Sequence, residues 1–208
     1  MLRAQKNRFG PTNELAVFEM GSKGLEEVLN PSERFLEERA SEMPGSAIVA
    51  QLEGTRPFLN EVQALVQNSY QGFPRRTNQG VDQNRISVLL AVLEKSLGAR
   101  FSEQDVYCKV SCGAKIHESA ADCALCMALL SALREEALPK DAIFIGEVGL
   151  GGEIRSVSGL SIRVEEALRT GFRRAFVPAH SAKEVKNLKG VSVVPVRNIQ
   201  ELQDTAFE

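Results

Sequence analysis

The run from Ser119 to about Leu133 limits the possible folds of this chain more than any other stretch. Ala121, Cys123, Leu125, Met127, Leu129 and Leu130 leave it apolar on nearly every side when wound as a helix. Such a helix has no face to offer water, so other elements must enclose it. Near its start, within Ala120-Ala121-Asp122-Cys123-Ala124, sits one carboxylate, Asp122. A charge buried without a partner is strongly disfavoured, so Asp122 needs a polar or cationic neighbour from elsewhere in the chain.

The flanking segments supply enclosing layers. Ile48, Ala50 and Leu52 alternate as a strand, Gly54-Thr55-Arg56-Pro57 turns, and Phe58, Val62, Ala64 and Val66 mark a longer second strand. Residues 68–80 are polar and read as an exposed loop carrying Arg75 and Arg76. Ile86, Leu89, Leu90, Leu93 and Leu97 predict a helix from about Asp82 to Leu97, and a strand follows over 104–112. Beyond the central helix come a strand at Ile143-Phe144-Ile145, a Gly-rich hairpin from Glu147 to Arg155 and a helix over Gly159–Thr170. A strand at Arg174–Val177, a short helix near Ser181–Leu188, a strand at Val191–Val196 and a closing helix after Asn198 complete the pattern. Strands and helices alternate without a strict parallel rhythm, which predicts an α+β or mixed α/β class.

Upstream, residues 1–20 read as a β-hairpin: Leu2 to Phe9, a turn at Gly10-Pro11-Thr12-Asn13, then Glu14 to Met20. Asn30-Pro31-Ser32-Glu33 opens a short helix ending near Ala40. This segment has too few apolar residues to fold alone. The expected division is therefore 1–42, the tail of a preceding domain, and 43–208, a domain with its own core.

With 43% hydrophobic and 25% charged residues, the chain can bury a real core. A formal net charge of −2 argues against coating nucleic acid through bulk positive charge, so any such contact needs a local basic patch or several copies around a strand. No apolar run reaches the ~18 residues of a membrane helix, and the polar start Met-Leu-Arg-Ala-Gln-Lys lacks a signal-peptide core, which predicts a cytoplasmic protein. Cys108, Cys112, Cys123 and Cys126 loosely imitate zinc-ligand spacing. Cys108 and Cys112, however, share a strand face with Val106 and Val110, while Cys123 and Cys126 lie in the apolar helix. All four are expected to be core thiols, with no metal bound. His117 and His180 read as surface residues. No G-x-x-x-x-G-K-[ST] occurs, and Gly149-Leu150-Gly151-Gly152 suits a tight turn better than a phosphate cradle.

Two stretches carry a family resemblance. Lys6-Asn7-Arg8-Phe9-Gly10, followed by Pro11-Thr12-Asn13-Glu14, resembles the KNRFG signature of the RadA/Sms family of DNA repair proteins. Gly146-Glu147-Val148, Glu153-Ile154-Arg155, Ser158-Gly159-Leu160 and the run from Gly171 to Pro178 resemble the Lon peptidase domain. So do the run from Glu53 to Pro57 and Gln83-Asn84-Arg85. The resemblance implies an α+β, Lon-protease-like domain preceded by the last hairpin of a RecA-like ATPase domain. It implies a parent that is a DNA-dependent ATPase, with ATP and magnesium at its motor and zinc in a separate N-terminal finger. That parent forms a homo-hexamer, works with a recombinase and drives branch migration on double-stranded or branched DNA. Within it, Lys6 and Arg8 would reach a neighbour's ATP phosphates.

The departures from the peptidase pattern decide the expected function. Asp122 and Arg163 stand at the positions matching the peptidase Ser and Lys. A Lys can be desolvated into a base, whereas an Arg stays protonated, and a carboxylate is no nucleophile towards an amide. The fragment is therefore expected to be no enzyme. Asp122 and Arg163, which lies between Leu160 and Ala167 on an apolar stripe, are expected to form an ion pair or to share a polar network. Arg56, Arg75, Arg76 and Arg85 are candidate DNA-phosphate contacts. The leading expectation is a DNA-binding and oligomerisation scaffold. A Lon-type peptidase with displaced residues and a structural oligomerisation domain without DNA contact are its rivals.

Overall fold

In the computed structural model, the described residues are 42–208 apart from Gln71, and upstream of them 2–3, 15–16, 18–21, 24–28, 32 and 36. Leu2–Arg3 (β1) pairs antiparallel with Leu15–Ala16 (β2). Phe18–Gly21 (β3) does not extend that pairing, as the predicted second arm would. It turns onto Gly24–Glu27 (β4). Ser32 and Leu36 are helical, and the rest of the helix expected over 30–40 lies outside the described residues, as do Lys6 and Arg8.

Ser46–Glu53 (β5) and Arg56–Asn68 (β6) form a long antiparallel pair. Arg76–Gln79 (β7) and Gln104–Val110 (β8) extend it to a four-stranded sheet of order β5-β6-β8-β7, with β7 parallel to β8. The loop expected over 68–80 thus holds an edge strand. Its sequence, Arg-Thr-Asn-Gln, has no apolar alternation to announce it. Backbone pairing with β8 defines it, and the Arg76 guanidinium donates to the carbonyls of Phe101 and Gln104 at the ladder's end. A second sheet, all parallel, has the order β13-β12-β9, from Ala142–Phe144 (β9), Arg174–Pro178 (β12) and Ser192–Val196 (β13). Between them in sequence, Glu147–Val148 (β10) and Ile154–Arg155 (β11) close the expected Gly-rich hairpin.

Four helices of the described residues cover these sheets. Gln83–Leu97 (α1) starts where the Asp82 side chain accepts from the Arg85 backbone N–H, and stops at left-handed Gly98. Asp122–Arg134 (α2) is the enclosed helix: every residue from Asp122 to Ser131 is buried. It packs on β5, β6 and β9 and against α1 and Ile199–Ala206 (α4). Leu160–Arg169 (α3) lies on the other side of β5 and β6. β5 therefore separates two cores, with Ala47 and Val49 facing one and Ile48 and Ala50 the other. This position explains its unbroken buried run, since a strand covered on both faces need not alternate.

Three of the four cysteines meet the core-thiol expectation. Cys108, Cys123 and Cys126 are buried, and burial pushes the Cys108 thiol up to about 12 and raises the other two well above the ordinary thiol range. Cys112 does not follow them. The strand ends at Val110, Cys112 takes a left-handed conformation in a 3-10 turn, and its side chain is exposed. His117 and His180 are exposed, and among the described residues no group of three or more His, Cys, Asp or Glu converges as a metal site.

Gly45, at the entry to β5, has φ +86°, donates to the Ser131 hydroxyl and accepts from the Ala64 N–H. An added Cβ would sit 2.2 Å from the Ala64 carbonyl oxygen. Gly98 has φ +66° but nothing within 4 Å of such a Cβ. Gly98→Ala should cost about 1 kcal/mol of stability through conformation alone, and Gly45→Ala about 2 kcal/mol or more because backbone must also move. Urea denaturation checks the order. Equal losses would mean that β6 does not approach Gly45 this closely.

Candidate functional site

The mouth of α2 gathers Asp122, Arg163 and Arg85, but in different partnerships from the one expected. Arg163, on the second turn of α3, is 1% exposed. Its Nε donates to the Ser158 carbonyl at 3.0 Å and its Nη1 to the Ala50 carbonyl at 2.5 Å. Nη1 and Nη2 then each donate to one oxygen of Glu118, both at 2.6 Å. Glu118 in turn accepts the Leu52 N–H at 2.7 Å, so one carboxylate ties α3 to β5 just ahead of the turn into α2. The fork-to-fork geometry is the strong form of an Arg–carboxylate pair.

Asp122 belongs to a second pair. Its Oδ1 accepts from Arg85 Nε at 2.6 Å and its Oδ2 from the Val148 N–H at 3.2 Å. The expected Asp122–Arg163 pair is therefore absent. Each charge found its partner elsewhere because each approaches from a different layer, Arg163 from α3 beyond β5 and Asp122 from α2 facing α1 and β10. Burial raises the Asp122 pKa above the usual aspartate value, against the opposing effect of Arg85.

The four arginines considered for DNA contact do not converge. Arg85 is occupied by Asp122, with its side chain 17% exposed. The Arg76 guanidinium is spent on main-chain carbonyls. Arg56 lies half-buried at the β5–β6 turn, 5.7 Å over the Phe58 ring. Arg75 is exposed, with its backbone N–H on Asp105, a contact that holds the Asp105 carboxyl below its ordinary range. In the ladders Arg76 pairs with Val106 and Val106 with Val66, so Arg75 and Arg76 lie roughly 30 Å along β6 from Arg56.

Two features escaped the sequence reading. Glu118 is the first, and nothing in its local spacing points to Arg163, 45 residues on. The second is the tip of the loop before β7, where Tyr70 is 90% and Phe73 85% exposed while Phe58, Phe101, Phe144, Phe172 and Phe176 are buried. Its sequence signal, two aromatics among Gly, Pro and Arg in a polar loop, was available.

The family model for the Lon protease (S16) C-terminal proteolytic domain matches residues 86–208. The chain belongs to this family. Along its whole length it is also a homologue of the RadA DNA repair proteins. It is 48% identical over 207 residues to DNA repair protein RadA of Bacillus subtilis (strain 168), covering 100% of this chain and 45% of that protein. It is 46% identical over 207 residues to DNA repair protein RadA of Streptococcus pneumoniae (strain ATCC BAA-255 / R6), covering 100% of this chain and 49% of that protein. The chain thus spans about half the length of the RadA relatives it matches.

Two outcomes follow from the pairings. Glu118→Ala strands a buried guanidinium and should cost about 3 kcal/mol, at the lower end of the range for buried pairs because Glu118 is itself partly exposed. A loss under about 1 kcal/mol, read by urea denaturation, would place the pair at the surface. For Asp122, a raised folded-state pKa means the folded protein binds a proton more tightly than the unfolded chain. Its contribution therefore favours the fold at low pH and is lost as pH rises from about 4 through the raised value. The stability difference between wild type and Asp122→Asn should shift against wild type across that window, and a difference flat in pH would contradict the assignment.

Proposed function

We propose that this chain is a peptidase-inactive Lon-like module that binds DNA and helps hold copies of a RadA-type motor together in recombinational repair. The observation that carries the first half is the state of Arg163: buried, always protonated, and committed through four hydrogen bonds to Glu118 and two carbonyls. It stands at the position of the peptidase general base and cannot accept a proton. Asp122, at the nucleophile's position, is an acid bound to Arg85 and the Val148 N–H.

The DNA half is supported by the name its relatives carry, DNA repair protein RadA, and by one surface feature. Exposed Tyr70 and Phe73 stand beside exposed Arg75 on a loop whose base is fixed by Arg76 and Asp105. Aromatic faces that stack on bases, next to a cation for phosphate, are common in DNA-binding surfaces. With a net charge of −2, one copy would bind weakly, and a hexameric ring would multiply the contact.

In this reading residues 1–42 are the closing hairpin and linker of a RecA-like ATPase domain. Lys6 and Arg8 would stabilise charge on a neighbouring subunit's ATP, with magnesium, during hydrolysis. The parent would carry its zinc in a separate finger and hand branched DNA on with a recombinase in the cytoplasm. No helix of the described residues is long and apolar enough to cross a membrane.

A fluorogenic-peptide assay on the purified chain should give no rate above buffer. Cleavage that disappears in Asp122→Ala would overturn the inactive reading. In a duplex and forked-DNA titration at two salt concentrations, binding should weaken steeply with salt, and Arg75→Glu should weaken it roughly fivefold or more. Ring formation without any DNA binding would leave a purely structural module in its place.

A further inference from the structure

Away from the two pairs at the mouth of α2, β6 carries a carboxylate that nothing above employs. Glu61 is 3% exposed. Its Oε1 accepts from the Ser46 hydroxyl at 2.5 Å, and its Oε2 from Gln63 Nε2 and the Ser111 hydroxyl, both at 2.9 Å. All three donors are neutral, and none of the ion pairs among the described residues includes Glu61. A carboxylate so far out of water is ordinarily matched by a cation. Here it borders a cavity of about 530 Å3, within the size range of small-molecule sites.

The strand periodicity orders the walls of that cavity. Glu61, Gln63 and Leu65 share one face of β6, the face turned away from the core residues Val62 and Ala64. Across the ladder, Tyr107 stands opposite Leu65 and Lys109 opposite Gln63. Leu65 is 56% exposed, an apolar side chain held out of the core at one end of the cavity, while Glu61 lies about 13 Å along the strand at the other. An apolar wall leading to a buried negative charge fits one kind of guest.

We propose that this cavity binds an amine or guanidine cation carried on a short apolar stem, with the stem on Leu65 and Tyr107 and the charge on Glu61. A lysine or arginine side chain of another polypeptide has this chemistry, and so does a free polyamine. Lys109, exposed at the rim, repels a multiply charged polyamine more than a singly charged side chain, so the side chain is the favoured guest. The site is separate from the peptidase positions, because it lies on the opposite face of the sheet from α2.

The test is an amide-resolved NMR titration of the 208-residue chain with n-hexylammonium, with neutral 1-hexanol as the isostere. The ammonium should bind saturably and about tenfold tighter than the alcohol, with shifts centred on residues 61–65 and 107–109. Glu61→Gln should remove that tenfold preference, and Lys109→Gln should strengthen ammonium binding. Gln63→Lys, at an exposed position whose amide already reaches Glu61, keeps the test intact if Glu61→Gln does not fold: its own ammonium should pair with Glu61 and weaken the probe about tenfold. Spermidine binding more tightly than acetyl-Leu-Lys-amide would mark a polyamine site, and the reverse a protein-docking site. Equal affinity for ammonium and alcohol, shifts elsewhere, or a preference that survives both Glu61→Gln and Gln63→Lys would overturn the proposal.

Discussion

A guanidinium that loses its water must recover nearly all of its hydrogen bonds inside the protein, or the fold that buries it will not persist. Arg163 meets that demand with four bonds drawn from three places: the Ser158 carbonyl before its own helix, the Ala50 carbonyl in the strand between the two cores, and the Glu118 carboxylate before the central helix. The bonds are directional, so they also fix the relative positions of α3, β5 and the turn into α2. Layers that apolar contacts alone would let slide are held in one register by a planar, forked cation. A lysine could not substitute, since one ammonium has neither the reach in two directions nor the flat fork.

The same interaction sets what Arg163 itself can do. A peptidase of this design needs a desolvated amine whose pKa has fallen far enough to take a proton from a hydroxyl. The burial that would depress a lysine leaves an arginine charged, and the Glu118 carboxylate balances that charge. Asp122 binds Arg85 from α1 and the N–H of Val148 from the β10 hairpin. The two pairs are separate, and each joins the central helix region to a different layer.

How far the sequence foretold this depended on whether a feature was local. The enclosed helix was legible because it is apolar on nearly every side, and α1 because Asp82 and Gly98 bracket a regular stripe. The inward direction of Arg163 followed from its place between Leu160 and Ala167. β7 was not legible, because an edge strand of Arg-Thr-Asn-Gln is defined by backbone pairing with β8 and not by its side chains. Cys112 was misplaced by two residues of strand length, enough to send it from the core to the surface. The pairing error at Asp122 and Arg163 has a different origin. Two opposite charges in one buried neighbourhood suggest each other, yet the choice between partners is set by which layers meet, and Arg163 reaches Glu118 from α3 while Arg85 reaches Asp122 from α1. One-dimensional spacing carries no record of that.

The account rests on two pairs that are separate, and thermodynamic coupling measures that directly. Double-mutant cycles on the stability of the purified chain, with Ala at Glu118 and Met at Arg163 for one cycle and Ala at Asp122 and Met at Arg163 for the other, report the interaction energy of each couple. The structure predicts coupling of about 2 kcal/mol or more between Glu118 and Arg163, and less than about 0.5 kcal/mol between Asp122 and Arg163. Strong coupling of Asp122 to Arg163 with none from Glu118 would mean that Asp122 and Arg163 face each other, which contradicts the two-pair arrangement.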